Sequence, residues 1–205
     1  MTRLTNARRL ASRTLVPFAL LALVGTGLAG CQLADGGSMS APQDGFAQTV
    51  GSDAAEGVLP DGATVFDENL PGIANLDPAL RAAVEQASRA ALEEDDVQLV
   101  VTSGWRSAVL QNRLLDNAVL EYGSREEAAR WVATPETSAH VTGTAVDIGG
   151  MDGYLWLGEP DHGSAYGLCQ IYVNERWHFE LIPDAVSQGC PDQYLDPTHD
   201  PRMQP

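Results

Sequence analysis

Ser138-Ala139-His140-Val141-Thr142-Gly143-Thr144-Ala145-Val146-Asp147-Ile148 changes character at Gly143, and that change decides how the chain is read. After the glycine the residues alternate with the period of a strand, so that Val146 and Ile148 face a core while Ala145 and Asp147 face the other way. Gly143 permits a turn, and the turn brings His140 back towards the strand that carries Asp147. Trp177-His178-Phe179-Glu180-Leu181 alternates in the same manner. Trp177, Phe179 and Leu181 are expected on one apolar face, and His178 and Glu180 share the opposite one. Two strands of this kind, each with a bulky core face and a face bearing imidazole or carboxylate, suit a polar cleft floored by a sheet.

Upstream of these strands the pattern is helical. Asp77 is placed to cap a helix that Pro78 opens, with Leu80, Val84, Ala87, Ala91 and Leu92 as its apolar stripe. The acidic run Glu93 to Asp96 opposes the helix dipole and is expected to end the helix early. Val97 to Val101 reads as a buried strand that runs into the turn Ser103-Gly104-Trp105-Arg106-Ser107. A second helix follows to about Leu120, with Gly123 as its stop. Ser124 and Glu127 are spaced as a capping box for a short helix reaching Val132. After Pro135 the texture is one of short strands and loops. Helices first and strands later give an α+β fold in a small single domain.

The two ends of the chain read differently. Basic residues to Arg13, an apolar run from Leu15 to Leu28 and small residues before Cys31 describe an export signal over residues 1–30. That run is about 14 residues, short for a membrane span. Leu28-Ala29-Gly30-Cys31 resembles a bacterial lipobox, which implies lipidation of Cys31 and two acyl chains, enough for stable anchoring. Residues 31–60 are rich in Gly, Ser, Ala, Asp and Gln and read as a flexible tether. The folded domain is expected over 61–205, about 145 residues and a common size for one core. Cys169 and Cys190 remain as an even pair in an exported domain and are expected to form a disulfide.

The chain has 12 basic residues, all of them Arg, and 28 acidic ones, for a formal net charge of −16. Without residues 1–30, which hold four Arg and no acid, 8 basic residues face 28 acidic ones, or −20. Such a surface repels phosphate backbones, so nucleic acid is not expected as a partner. A monomer is expected.

His140, Asp147 and His178 together supply two imidazoles and a carboxylate, the donors of a catalytic zinc site with one position left open for water. Taken singly, either His would read as a hydrogen-bonded core residue; the combination points to a ligand set. Glu175, three residues before His178, is placed to act as general base on a water whose pKa zinc lowers to about 7. Hydrolysis of an amide builds negative charge on the carbonyl oxygen. Arg106, in the tight turn after the first strand, is the cation best placed to meet that charge or a terminal carboxylate. His162 and His199 lie in loop and tail sequence and read as solvated. Trp105, Trp131 and Trp156 read as core or cleft wall, and Glu180 either supports a ligand or touches substrate.

The three stretches Ser103-Gly104-Trp105-Arg106, Ser138 to Asp147 and Glu175-Arg176-Trp177-His178 resemble the zinc D-Ala-D-Ala peptidases, the VanY-type carboxypeptidases and related dipeptidases. Those proteins follow the pattern SGYR, SxHxxGxAxD and ExWH. The second and third stretches fit throughout; Trp105 stands for the usual Tyr, and Glu136 stands where many relatives have Gly. The resemblance spans about residues 76–181. It implies N-terminal helices on a central antiparallel sheet that carries Zn2+, with Arg106 stabilising the tetrahedral intermediate and Ser138 and Gln111 holding substrate. It further implies cleavage of the terminal D-Ala from peptidoglycan stem peptides, at the outer face of the cytoplasmic membrane. An endopeptidase or L,D-carboxypeptidase of the same family, or a noncatalytic zinc-containing cell-wall binding module, are the alternative readings. Specificity could be encoded in residues 151–163, which carry no motif.

Overall fold

Asp77 caps the first long helix, α1 (Pro78–Asp95), by accepting hydrogen bonds from the backbone N–H groups of Ala79 and Leu80. The computed structural model describes residues 53–203, and within them the elements follow the order in which they lie along the chain. After α1 come β1 (Val100–Ser103), α2 (Ala108–Tyr122), α3 (Arg125–Ala128), β2 (Ala145–Gly149), α4 (Met151–Gly158), β3 (Leu168–Gln170) and β4 (His178–Leu181). The four strands form one antiparallel sheet in the order β1-β2-β4-β3. Mixed helices and an antiparallel sheet make the fold α+β.

One face of that sheet is apolar. Val146 and Ile148 of β2 and Phe179 of β4 pack with Leu80, Val84, Ala87 and Ala91 of α1 in a single buried cluster. Fully burying a side chain such as Phe179 or Leu80 contributes about 1.5–3 kcal/mol. The α1 helix runs on through the acidic stretch to Asp95, and Asp96 ends it in the left-handed conformation at φ 57°. Packing of the apolar stripe outweighs the unfavourable charges at its C-terminus, which are solvated and weak. Leu92, expected in the stripe, is 55% exposed, because the burying face runs through Ser88 and Ala91 instead.

The first strand starts at Val100 rather than Val97, with an irregularity between Val101 and Ser103. That extra residue turns Ser103 towards Asp147, its partner on β2. Ser107 caps α2 by accepting from the Leu110 N–H, and Gly123 ends it. Ser124 likewise caps α3, which stops at Ala128, short of Val132. Residues 151–163 contain a helix, α4, that sequence pattern does not reveal. Its Trp156 and Leu157 join the main core, so it supports the sheet from behind. His162 packs on Trp156, with ring centroids 4.3 Å apart, and is not a free loop residue.

Residues 53–60, assigned to the tether by composition, are folded onto the domain. The Ser107 N–H donates to the Glu56 carbonyl at 2.9 Å and Arg113 pairs with Asp53 at 2.8 Å. The export signal, Cys31 and the rest of the tether lie outside the described residues. Cys169 and Cys190 form a disulfide, across a sequence separation of 21. Among the described residues, no helix is long and apolar enough to cross a membrane.

Candidate metal centre

The register between β2 and β4 builds the site. Asp147 lies directly opposite His178, and Ala145 opposite Glu180, so all four side chains project from the face of the sheet away from the core. His140 arrives from the turn before β2. Gly143 makes this turn at φ 74°, and its carbonyl accepts from the Asp77 N–H at 2.8 Å, tying the turn to the start of α1. A Cβ at Gly143 would stand 2.4 Å from the Asn75 carbonyl oxygen, so only glycine fits. Gly104 is a second close approach: a Cβ there would lie 2.1 Å from the Gly72 carbonyl oxygen, while its own carbonyl faces His140.

Three donor atoms converge. His140 Nε2 is 3.2 Å from His178 Nδ1, His178 Nδ1 is 3.2 Å from Asp147 Oδ1, and His140 Nε2 is 3.3 Å from Asp147 Oδ1. Donors at about 2.0–2.1 Å from a tetrahedral zinc ion stand about 3.3 Å from each other, so this near-equilateral triangle has the size a zinc ion requires. All three residues are buried. Their remaining polar atoms are also held, as ligand orientation demands. His140 Nδ1 meets the Gly104 carbonyl at 2.8 Å, His178 Nε2 meets Glu180 Oε1 at 3.4 Å, and Asp147 Oδ2 accepts from Arg106 Nη2 at 2.7 Å. Glu180 is thus placed to orient His178. Burial opposes the charge on Asp147, but His140, His178 and Arg106 overcome it and hold the carboxyl well below the usual range. Burial and the Arg106 charge lower His140, towards the neutral form a ligand needs, whereas His178, although burial opposes its charge, is raised to about 9 by Asp147 and Glu180 and must give up a proton when it binds an ion.

Beside the triangle opens a cavity of about 420 Å³ lined by Arg106, Gln111, Ser138, Glu175 and Trp177, among others. Glu175 is 8% exposed, and its Oε1 is buried without a hydrogen-bond partner. Burial pushes its carboxyl up to about 7, with the Asp147 charge adding to the effect and His178 opposing it. An unsatisfied buried oxygen costs stability and calls for a function, and a carboxyl that exchanges its proton near neutrality is suited to general base work. Trp177 departs from the expected core face. It is 39% exposed and lies just before β4, where the alternation has not begun, so it walls the cavity.

Arg106 is more tightly fixed than its turn sequence suggests. Nε donates to Ser103 Oγ at 2.7 Å and Nη1 to Gln111 Oε1 at 3.3 Å, in addition to the Asp147 bond. Gln111 is itself buried and donates from Nε2 to the Ala133 carbonyl at 2.9 Å, so in this geometry its amide orients Arg106. Ser138 lies on the cavity wall and is buried. His199 sits 2.9 Å from Asp196, away from the triangle. Sequence reasoning does not find, among others, Tyr172, Pro197 and Met203 on the cavity wall, nor Arg202 and Asp200 beside Glu180 and Tyr172.

The fold and site together define an α+β domain with a three-donor metal centre, an adjacent buried carboxylate and a fixed guanidinium, the components of a hydrolytic zinc site. Comparison with known proteins makes this more specific. Residues 74–162 match the family model described as VanY: D-alanyl-D-alanine carboxypeptidase. A D-alanyl-D-alanine carboxypeptidase of Enterococcus faecalis (strain ATCC 700802 / V583) is 31% identical over 137 residues, covering 52% of this chain and 50% of that protein. Both matches are to VanY-type D-alanyl-D-alanine carboxypeptidases, and the chain spans about half the length of that relative. Among solved structures, a mutant of the vancomycin resistance D,D-pentapeptidase VanY in complex with Zn(II) is similar at 28% identity and a TM-score of 0.48, over 52% of this chain and 72% of the other. VanYB in complex with D-alanine-D-alanine is similar at 26% identity and a TM-score of 0.49, over 56% of this chain and 74% of the other.

Proposed function

We propose that this chain is a zinc-dependent D-alanyl-D-alanine carboxypeptidase that removes the terminal D-Ala from peptidoglycan stem peptides. The observation that carries the reading is the pairing of a zinc-sized donor triangle with the unpartnered carboxylate oxygen of Glu175 in the same cavity. The family match supplies the substrate class. His140, Asp147 and His178 hold the ion. Zinc bound there would polarise the substrate carbonyl and lower the pKa of a water molecule.

Glu175 then accepts the proton of the attacking water and returns it to the departing amine, a cycle that a carboxyl titrating near neutrality performs in both directions. Arg106 stays in place throughout, because Ser103, Gln111 and Asp147 fix its guanidinium, and its charge stabilises the negative oxygen that develops. Ser138, Gln111 and Trp177 line the cavity where the peptide is held.

The remaining assignments extend the same reading. Residues 1–30 direct export and Cys31 carries the lipid that anchors the protein to the outer face of the cytoplasmic membrane. The residues after Cys31 tether a monomeric domain close to its wall substrate. Cys31→Ala is expected to move the protein from the membrane fraction to the medium; retention in the membrane would refute the anchor. For the reaction itself, the protein should be incubated with tri-, tetra- and pentapeptide stems and the products weighed. Loss of one D-Ala from the pentapeptide is expected, and release from the tetrapeptide alone would refute the D,D assignment.

A further inference from the structure

The C-terminal segment returns to the metal centre from behind. Arg202 makes a two-bond contact with Glu180, from Nη1 to Oε2 at 2.6 Å and from Nη2 to Oε1 at 3.2 Å. Glu180 Oε1 is the atom that faces Nε2 of the ligand His178. Asp200, fully buried, receives Arg202 through both carboxylate oxygens and accepts the Tyr172 hydroxyl at 2.9 Å. The Tyr172 ring in turn lies against the His178 imidazole, with centroids 5.3 Å apart. His178, Glu180, Arg202, Asp200 and Tyr172 therefore form a closed ring of contacts around one ligand.

The segment is secured where it leaves and where it returns. Cys169 lies opposite Glu180 in the β3–β4 register, and its disulfide to Cys190 starts the stretch that Arg202 brings back to the same Glu180. Tyr194 pairs with the backbone of Ile171 and Val173 on the way, and Met203 reaches the cavity wall. All of this lies beyond the residues that the family model matches.

We infer that Arg202 is a positioning residue of the metal centre: through Glu180 it fixes the orientation of His178, and the C-terminal segment 190–203 is part of the zinc site rather than a trailing end. The inference rests on the zinc reading proposed above. A guanidinium fork on a carboxylate sets direction as well as charge, and the partners that orient ligand imidazoles control metal affinity.

The test is zinc affinity of the full chain, disulfide intact, by competition with a chromophoric chelator. Arg202→Gln is expected to bind zinc about 10–100-fold more weakly. Arg202→Lys, which keeps the charge but not the fork, should recover part of the loss. Arg113→Gln, which removes an exposed pair with Asp53, should leave affinity unchanged. The absorption spectrum of the cobalt-substituted protein should change in Arg202→Gln; because this variant leaves Asp200 and Glu180 without their guanidinium and lowers stability, affinities are compared on metal-free protein shown by circular dichroism to be folded. If Arg202→Gln does not fold, Tyr172→Phe removes one hydroxyl from the same ring and is expected to weaken zinc several-fold. A wild-type chain that binds zinc while the folded Arg202→Gln, or failing that Tyr172→Phe, matches it would overturn this inference alone. A wild-type chain that binds no zinc would overturn the zinc reading, and this inference with it.

Discussion

Glu175→Gln should stabilise the metal-free protein at alkaline pH, and the size of the effect follows from burial. Glu175 is 8% exposed, and its carboxyl is raised from 4.5 to about 7. The unfolded chain releases this proton near 4.5, whereas the folded chain keeps it until about 7. Below the lower value both states are protonated and the residue contributes no pH dependence. Between the two, the folded state binds more protons than the unfolded one, so stability falls as pH rises. Above the upper value the fold carries a buried carboxylate at its full cost. A separation of about two and a half pH units, at about 1.4 kcal/mol per unit, amounts to about 3 kcal/mol. Gln has no proton to lose, so this penalty disappears. Urea unfolding in the presence of a chelator, at pH 5 and pH 8, measures it. The stability advantage of Glu175→Gln should grow by about 2–3 kcal/mol between these values. Asp147 and His178 act on Glu175 itself, the first raising its carboxyl and the second lowering it, so the measured growth is the net effect of burial and these two charges. An advantage that stays constant with pH would show that burial does not hold this carboxyl high, and would remove the basis for its role as base.

Gly143→Ala places a methyl group 2.4 Å from the Asn75 carbonyl oxygen at a φ of 74°. It should cost about 1–3 kcal/mol in urea unfolding and lower zinc affinity by moving His140; unchanged values would refute the role given to the turn. Cys190→Ser opens a loop with a separation of 21 residues and should lower stability by about 3 kcal/mol, and an unchanged denaturation midpoint would refute that. Asp196 is 1% exposed, and although burial opposes its charge, Thr198, His199 and Arg130 hold its carboxyl below the usual range. The stability it contributes is present above about pH 4 and declines as pH falls towards its lowered folded value, so in urea unfolding Asp196→Asn should destabilise more at pH 7 than at pH 3, and an equal loss at both would refute the assignment.

The strands that carry the site were legible because their alternation is local. Val146 and Ile148 against Asp147, and Phe179 against His178, follow from a period of two, and the cap Asp77 from its position before Pro78. Trp177 misled because the alternation starts only at His178, one residue later. The α4 helix was hidden by the glycines at 153 and 158, which dilute its helical pattern although Trp156 and Leu157 anchor it. Leu92 was misassigned because tertiary packing selects which side of a helix is covered, and Ser88 lies on that side. Contacts across long stretches of chain, such as Arg106 with Asp147 or Arg202 with Glu180, have no local signature. They depend on the strand register and on the path the chain takes after the disulfide.

The central claim is that a zinc ion on His140, Asp147 and His178, with Glu175 as base, cleaves a terminal D-Ala. The most direct measurement is D-Ala release from a stem pentapeptide by zinc-loaded wild type and zinc-loaded Glu175→Gln, each with and without chelator. Release by the wild type alone, abolished by the chelator and restored by zinc, with Glu175→Gln binding zinc but releasing at least about 100-fold less D-Ala, is the predicted result. Equal release by a zinc-loaded Glu175→Gln, or undiminished release by the wild type after its metal is removed, would contradict it.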